Sequence, residues 1–151
     1  MEDTTFQRIA RECDSRPTEC CCLLCRQMCR VPCLGTPKDI EKIVDAGYAD
    51  RLTPTEWYVG VRLGLINRPI LMLQPETVNG WCTFYHKGLC ELHDSGLKPT
   101  EGKLAHHTDP IAHNGQPTSH NVAWLIAKEW MDDKNFYTIP RMCDKIKKQL
   151  K

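Results

Sequence analysis

The chain has few aromatic residues, no surplus of charge of either sign and no long apolar run. Aromatic residues make up 7% of its 151 residues, and 20 basic side chains are balanced by 19 acidic ones for a formal charge of +1. A balanced charge gives no electrostatic reason for binding nucleic acid or an anionic membrane. The longest apolar run, residues 70–73, has the length of a strand, whereas a membrane span needs ~20 residues. The composition therefore predicts a protein with neither a nucleic-acid nor a membrane partner.

Cysteine is the one residue type present in excess, with 10 copies. The polar start of the chain, residues 1–5, lacks the apolar core of a secretory signal, so we expect a cytoplasmic protein. In that reducing compartment, clustered thiols bind metal more often than they form disulfides. Because the apolar core is thin for a chain of this length, we expect a metal centre to stabilise the fold. A set of disulfides is the less favoured alternative.

The pattern of apolar residues predicts a small α+β protein, mostly helical with a short β-hairpin, folded as a single domain over 1–151. An apolar stripe predicts a helix within residues 1–16. Two capping motifs, Thr36-Pro37-Lys38-Asp39 and Thr53-Pro54-Thr55-Glu56, each predict the start of a further helix. The remaining expected elements are a strand at 69–73, a hairpin over 81–93, a long loop over 98–119 and helices over 120–151.

The cysteines divide into core residues and candidate metal ligands. Cys13 and Cys143 lie on apolar faces of predicted helices, where a thiol behaves as a small hydrophobe. The others form a dense run at 20–33 and a pair on the hairpin. The spacing Cys22-Leu-Leu-Cys25 allows two thiolates to bind one ion, and the hairpin would bring its own pair together. The predicted ligands are Cys22, Cys25, Cys29, Cys33, Cys82 and Cys90, organised as one centre.

The sequence does not distinguish between two possible metal cofactors. All-thiolate ligation suits an iron–sulfur cluster and zinc alike, and we prefer the iron–sulfur cluster. The spacing C-x2-C-x3-C-x3-C differs from the ferredoxin run C-x2-C-x2-C-x3-C-P, so an ordinary ferredoxin is excluded.

A known family has a similar arrangement. The cysteine cluster, the helix start Pro37-x-Asp39-Ile40-x-x-Ile43, and a later cysteine followed by an aromatic and a second cysteine resemble the YkgJ-type cysteine-cluster family. Its members are described as zinc- or iron-chelating C-x-x-C-x-x-C-C domains. The resemblance covers residues 20–103 and implies a small metal-binding protein. The sequence departs from the family at Gly102, where the family has cysteine, and Cys29, Cys33 or a histidine would replace that ligand.

The histidines are secondary candidates. Four of them fall in or beside the loop at 98–119, namely His106, His107, His113 and His120, and solvated loop histidines are commoner than ligands. His86 and His93 flank the hairpin cysteines and could donate hydrogen bonds to the sulfurs.

The sequence thus predicts a metal-binding protein whose role is structural, electron-transferring or metal-handling, working with a protein partner. One alternative is a zinc-stabilised interaction module without redox chemistry. Another is a metalloenzyme with an open metal position facing the histidine loop. No catalytic residue is assigned.

Overall fold

A computed structural model describes residues 4–13, 33–86, 89–92, 95–104 and 122–150, without the side chains of Val59, His86 and Leu89. About half of this part is helical, and its strands form short antiparallel two-stranded sheets. The expected α+β class is confirmed. No helix in the described ranges is long and apolar enough to cross a membrane.

The first helix lies within the predicted range 1–16, and the second begins where its capping motif predicts. Helix α1 covers Thr5–Glu12, and Thr4 caps it in a reciprocal capping box with Gln7. Helix α2 covers Pro37–Asp45, with Thr36 and Asp39 forming the same reciprocal bonds. These bonds satisfy backbone N–H groups that have no partner inside a helix.

The second proline motif forms a strand, so the prediction of a helix there was wrong. A 3-10 turn, Ala49–Arg51, leads into β1, Leu52–Trp57. β1 pairs antiparallel with β2, Ile70–Pro75, and the register places Pro54 opposite Leu73. The Trp57 indole N–H donates to Gln74 Oε1 at 3.0 Å across this pair. Pairing with an apolar strand therefore outweighs the local capping signal. The predicted strand at 69–73 is confirmed by β2.

The predicted hairpin over 81–93 is divided between two small sheets. Strands β3, Thr77–Val78, and β4, Trp81–Cys82, are joined by Asn79 and Gly80 with φ of 54° and 81°. This Asn-Gly dipeptide is the favoured loop of a two-residue hairpin. Strand β5, Tyr85–His86, then pairs with β6, Leu89–Cys90. The hairpin prediction was therefore right for β5–β6 and wrong for residues 81–82, which pair with β3.

Short helices complete the described chain. Helix α3 covers Val59–Arg62 and α4 covers Thr100–Leu104. Because α4 lies within 98–119, the prediction of a loop over that whole range was wrong. Two helices form the C-terminal part of the chain: α5 covers Val122–Glu129, and a 3-10 turn at Asp133–Asn135 leads to α6, Thr138–Gln149.

The core is built from one apolar cluster shared by helices and strands. α2 packs against α6, and α5 packs against α1, α3 and α4. Phe84, at 0% exposure, belongs to this cluster and lies in sequence between β4 and β5. The Glu129 carboxylate, only 3% exposed, is bonded to Arg8 of α1 and, at 2.9 Å, to the ammonium of Lys134. This buried carboxylate joins the first helix to the C-terminal part of the chain.

Candidate metal centre

Three of the six predicted ligands lie in the described part of the chain. None of Cys33, Cys82 and Cys90 forms a disulfide; Cys82 is 6% exposed, and the other two are half-buried. Cys22, Cys25 and Cys29, and the neighbouring Cys20 and Cys21, fall outside the described residues.

Cys33 begins a segment that two distant parts of the chain hold in place. The Leu34 carbonyl accepts a hydrogen bond from the backbone N–H of Glu101 at 3.0 Å, and the Leu34 N–H donates to Glu101 Oε1 at 3.3 Å. The Trp130 indole donates to the Gly35 carbonyl at 3.0 Å. These bonds fix the backbone that follows Cys33 against α4 and the end of α5.

Asp39 strengthens the attachment of this segment to α4. Its Oδ2 accepts hydrogen bonds from the backbone N–H and the hydroxyl of Thr100, at 3.0 and 2.5 Å, and from the Thr36 N–H at 3.0 Å. A carboxylate that accepts several short hydrogen bonds forms a strong local connection. The start of α2 and the start of α4 are therefore joined through one side chain.

Gly102 leaves the space that the Cys33 sulfur fills. A Cβ added at Gly102 would lie 2.7 Å from Cys33 Sγ. Carbon and sulfur in ordinary contact are about 1 Å further apart, so a side chain at this position would displace the thiol. Position 102 is where the resemblance leads us to expect a cysteine, and here the sulfur of Cys33 lies beside it.

The two later cysteines lie on two different small sheets. Cys82 ends β4 opposite Thr77, and Cys90 ends β6 opposite Tyr85. Phe84 connects β4 to β5 in sequence, and its carbonyl accepts from the Glu91 N–H at 2.7 Å. The cysteines thus come from separate strand pairs that the chain joins through a buried aromatic residue.

The charges of two other cysteines influence the Cys33 thiol. Burial raises the pKa of Cys33 well above its usual value, and the nearby Glu101, Cys90 and Cys82 raise it further, while Lys98 acts in the opposite direction. Thiols separated by 49 or more residues in sequence are therefore within interaction distance in the fold.

The environment of Cys82 contains donors that favour a thiolate. Burial raises the pKa of Cys82, and Cys90 raises it as well. The backbone N–H groups of Phe84 and Tyr85 lower it, because both donate toward the sulfur. N–H groups directed at a cysteine sulfur also tune the charge of sulfur ligands at metal sites.

Glu101 is a component of this region that the sequence did not single out. Burial raises the pKa of its carboxyl group to about 7, although the hydrogen bond from Leu34 lowers it. A lone glutamate in a short helix carries no sequence signal for this position. The Asn79-Gly80 dipeptide, by contrast, is a hairpin signal that would have placed Cys82 correctly.

Other predictions for the site have mixed outcomes. Within the described ranges, no group of three or more cysteine, histidine or acidic residues has an arrangement that could hold a metal ion. The loop histidines and His93 lie outside the described residues, as does the side chain of His86. Cys13 is buried in the core as expected, while Cys143 is only half-buried.

Comparisons of the chain with family models, with curated proteins and with solved structures found no match. The resemblance to the YkgJ-type family therefore stays a prediction.

Proposed function

We propose that this protein binds a metal through a cysteine-ligated centre, an iron–sulfur cluster or a zinc ion, to which Cys33, Cys82 and Cys90 contribute. The observation that supports the proposal is that Cys82 and Cys90 are both among the groups that raise the pKa of Cys33, whose sulfur lies beside Gly102. The described residues alone do not form a group that could hold a metal, so the proposal needs ligands from outside them. Distant cysteines that meet in one region are typical of sites in which a metal joins separate parts of a chain.

The small apolar core supports the same conclusion. The sheets that carry Cys82 and Cys90 consist of two-residue strands, and isolated strand pairs of this kind are marginally stable in water. A metal bound to both cysteines and to Cys33 would stabilise these strands against α4. The remaining ligands would come from Cys22, Cys25 or Cys29.

Metal analysis of the whole chain tests the proposal. If the centre is an iron–sulfur cluster, protein purified anaerobically should be brown and absorb at about 400 nm. If it is a zinc site, the protein should be colourless and contain stoichiometric zinc. Cys33→Ser, Cys82→Ser and Cys90→Ser should each lower the metal content sharply. The matched control is Cys143→Ser, on α6, which should retain the wild-type content.

Two results would contradict the proposal. One is wild-type protein that holds neither metal and whose thiols are oxidised in pairs. The other is metal content that is equal in Cys82→Ser and Cys143→Ser, because the proposed ligand would then be equivalent to a non-ligand. Circular dichroism of each variant separates loss of metal from loss of fold.

A further inference from the structure

A cavity lies between residues 66–71 and the two residues that follow α5. Its volume is about 440 Å³, which is within the range of small-molecule sites. Among the residues that line it, Ile70 and Trp130 are buried, while Leu71 and Met131 are exposed. Because most of its lining residues are apolar, the cavity suits a ligand with an apolar body.

The two buried lining residues are fixed by the fold. The Trp130 indole N–H donates to the Gly35 carbonyl at 3.0 Å, which sets the position of the ring. Ile70 lies opposite Trp57 in the register of β1 and β2. A ligand that enters this cavity therefore does not bear the cost of ordering these two side chains.

Arg68 is the only charged residue among those that line the cavity. Its side chain is exposed, and within the described ranges it forms no hydrogen bond and no ion pair. Proline disfavours a helical backbone at the residue before it, so Pro69 restricts the directions in which Arg68 can point. The cavity thus contains one positive charge whose hydrogen-bond donors are available to a ligand.

The lining contains no acidic residue. Its other polar member is Asn67, an exposed amide next to Arg68 in sequence that can also donate hydrogen bonds. Glu56 lies opposite Leu71 in the strand pair, but it is not part of the lining and accepts from the Tyr58 hydroxyl at 3.2 Å. The polar side of the cavity therefore favours an anion.

We infer that this cavity binds a small organic monocarboxylate, whose carboxylate pairs with Arg68 and whose apolar body lies against Leu71 and Met131. A guanidinium presents parallel N–H groups that match a carboxylate in a bidentate pair. One positive charge balances a monocarboxylate, whereas a phosphomonoester carries nearly two negative charges and would be only half neutralised. The site uses none of the proposed metal ligands, so its test is independent of the metal centre.

Calorimetric titration of the full, reduced chain with octanoate tests the inference. The wild type should bind one octanoate per chain with a Kd of about 0.1–1 mM, the affinity available to a ligand of roughly ten non-hydrogen atoms. Arg68→Gln should weaken binding about ten-fold or more, because the charged partner of the carboxylate is removed. Arg62→Gln is the matched control and should bind like the wild type, since Arg62 is exposed on α3 and lies outside the lining.

Two further comparisons separate this site from adsorption to apolar surface. Octanol has the same apolar body without the charge and should bind about ten-fold more weakly than octanoate or worse. Leu71→Glu places a negative charge beside the ligand and should weaken octanoate binding, with unchanged circular dichroism because Leu71 is exposed. No saturable binding to the wild type below about 10 mM, wild-type affinity in Arg68→Gln, or equal affinity for octanol would each overturn the inference.

Discussion

Replacing Gly102 with alanine should destabilise the metal-free protein, and the loss should disappear when Cys33 is also replaced with alanine. The added Cβ would lie 2.7 Å from Cys33 Sγ and 3.0 Å from two carbons of Lys98. The lysine carbons belong to a flexible side chain that can move. The sulfur is held near the backbone that Glu101 and Trp130 fix, so its displacement is the main cost.

The expected magnitude follows from two opposing effects. Forcing an extra carbon into a packed site costs roughly 1–3 kcal/mol, while alanine is favoured over glycine inside a helix by about 1 kcal/mol. Gly102→Ala alone should therefore lower the free energy of unfolding by about 1 kcal/mol. In the Cys33→Ala background there is no sulfur to overlap, so Gly102→Ala should raise the free energy of unfolding by about 1 kcal/mol.

A double-mutant cycle measures the coupling of about 2 kcal/mol between the two positions. The assay is urea denaturation of the wild type, both single variants and the double variant, all reduced and treated with chelator. If the effects of the two changes add to within about 0.5 kcal/mol, the sulfur does not occupy the space beside Gly102, and the reasoning is refuted.

Three further changes have expected outcomes. Glu129→Ala should lower the free energy of unfolding by about 2–4 kcal/mol, because the partly buried Arg8 guanidinium loses its carboxylate. Gly60→Ala should cost about 2–3 kcal/mol in the same assay, since its Cβ would lie 2.4 Å from the rigid Trp124 ring. The pKa of Glu101 is raised from 4.5 to about 7, so the metal-free protein should lose of order 2 kcal/mol as pH rises between these values, and Glu101→Gln should abolish that loss.

Each of these three has a comparison that could contradict it. Glu12→Ala removes the exposed pair of Arg8, at 3.4 Å, and should cost no more than about 0.5 kcal/mol. Gly64→Ala meets open space, so it should cost only about 1 kcal/mol of backbone strain at a φ of 72°. A Glu101→Gln protein whose stability still falls between pH 4.5 and 7 would assign the effect to another group.

The two proline motifs show how far local sequence signals determine this fold. Thr36-Pro37-Lys38-Asp39 starts a helix because Ile40, Ile43 and Val44 follow at helical spacing and become buried. The motif at residues 53–56 has an equally good capping pattern, but its residues form a strand paired with β2. The strand that pairs with this motif, β2, lies about twenty residues further along the chain, and a capping rule considers only neighbouring residues.

The candidate site divides in the same way. Cys33, Cys82 and Cys90 were predicted as ligands from spacing, and that assignment stays a prediction; the structure shows that Cys82 and Cys90 both raise the pKa of Cys33. The space at Gly102 and the buried carboxyl of Glu101 were not predicted, because both depend on how α4 packs against the segment at Cys33. The apolar periodicity of a single sequence indicates local structure, so it does not predict a contact between residues nearly seventy positions apart.

The hydrogen bond from Trp130 to the Gly35 carbonyl sets an order of assembly during synthesis. The donor is made 95 residues after the acceptor, so the segment that positions Cys33 stays incompletely held until the C-terminal helices have been synthesised. Cys82 and Cys90 leave the ribosome before that bond can form. In the proposed metal centre, binding by all three thiols together would therefore come late in the synthesis of the chain, after residue 130 has been made.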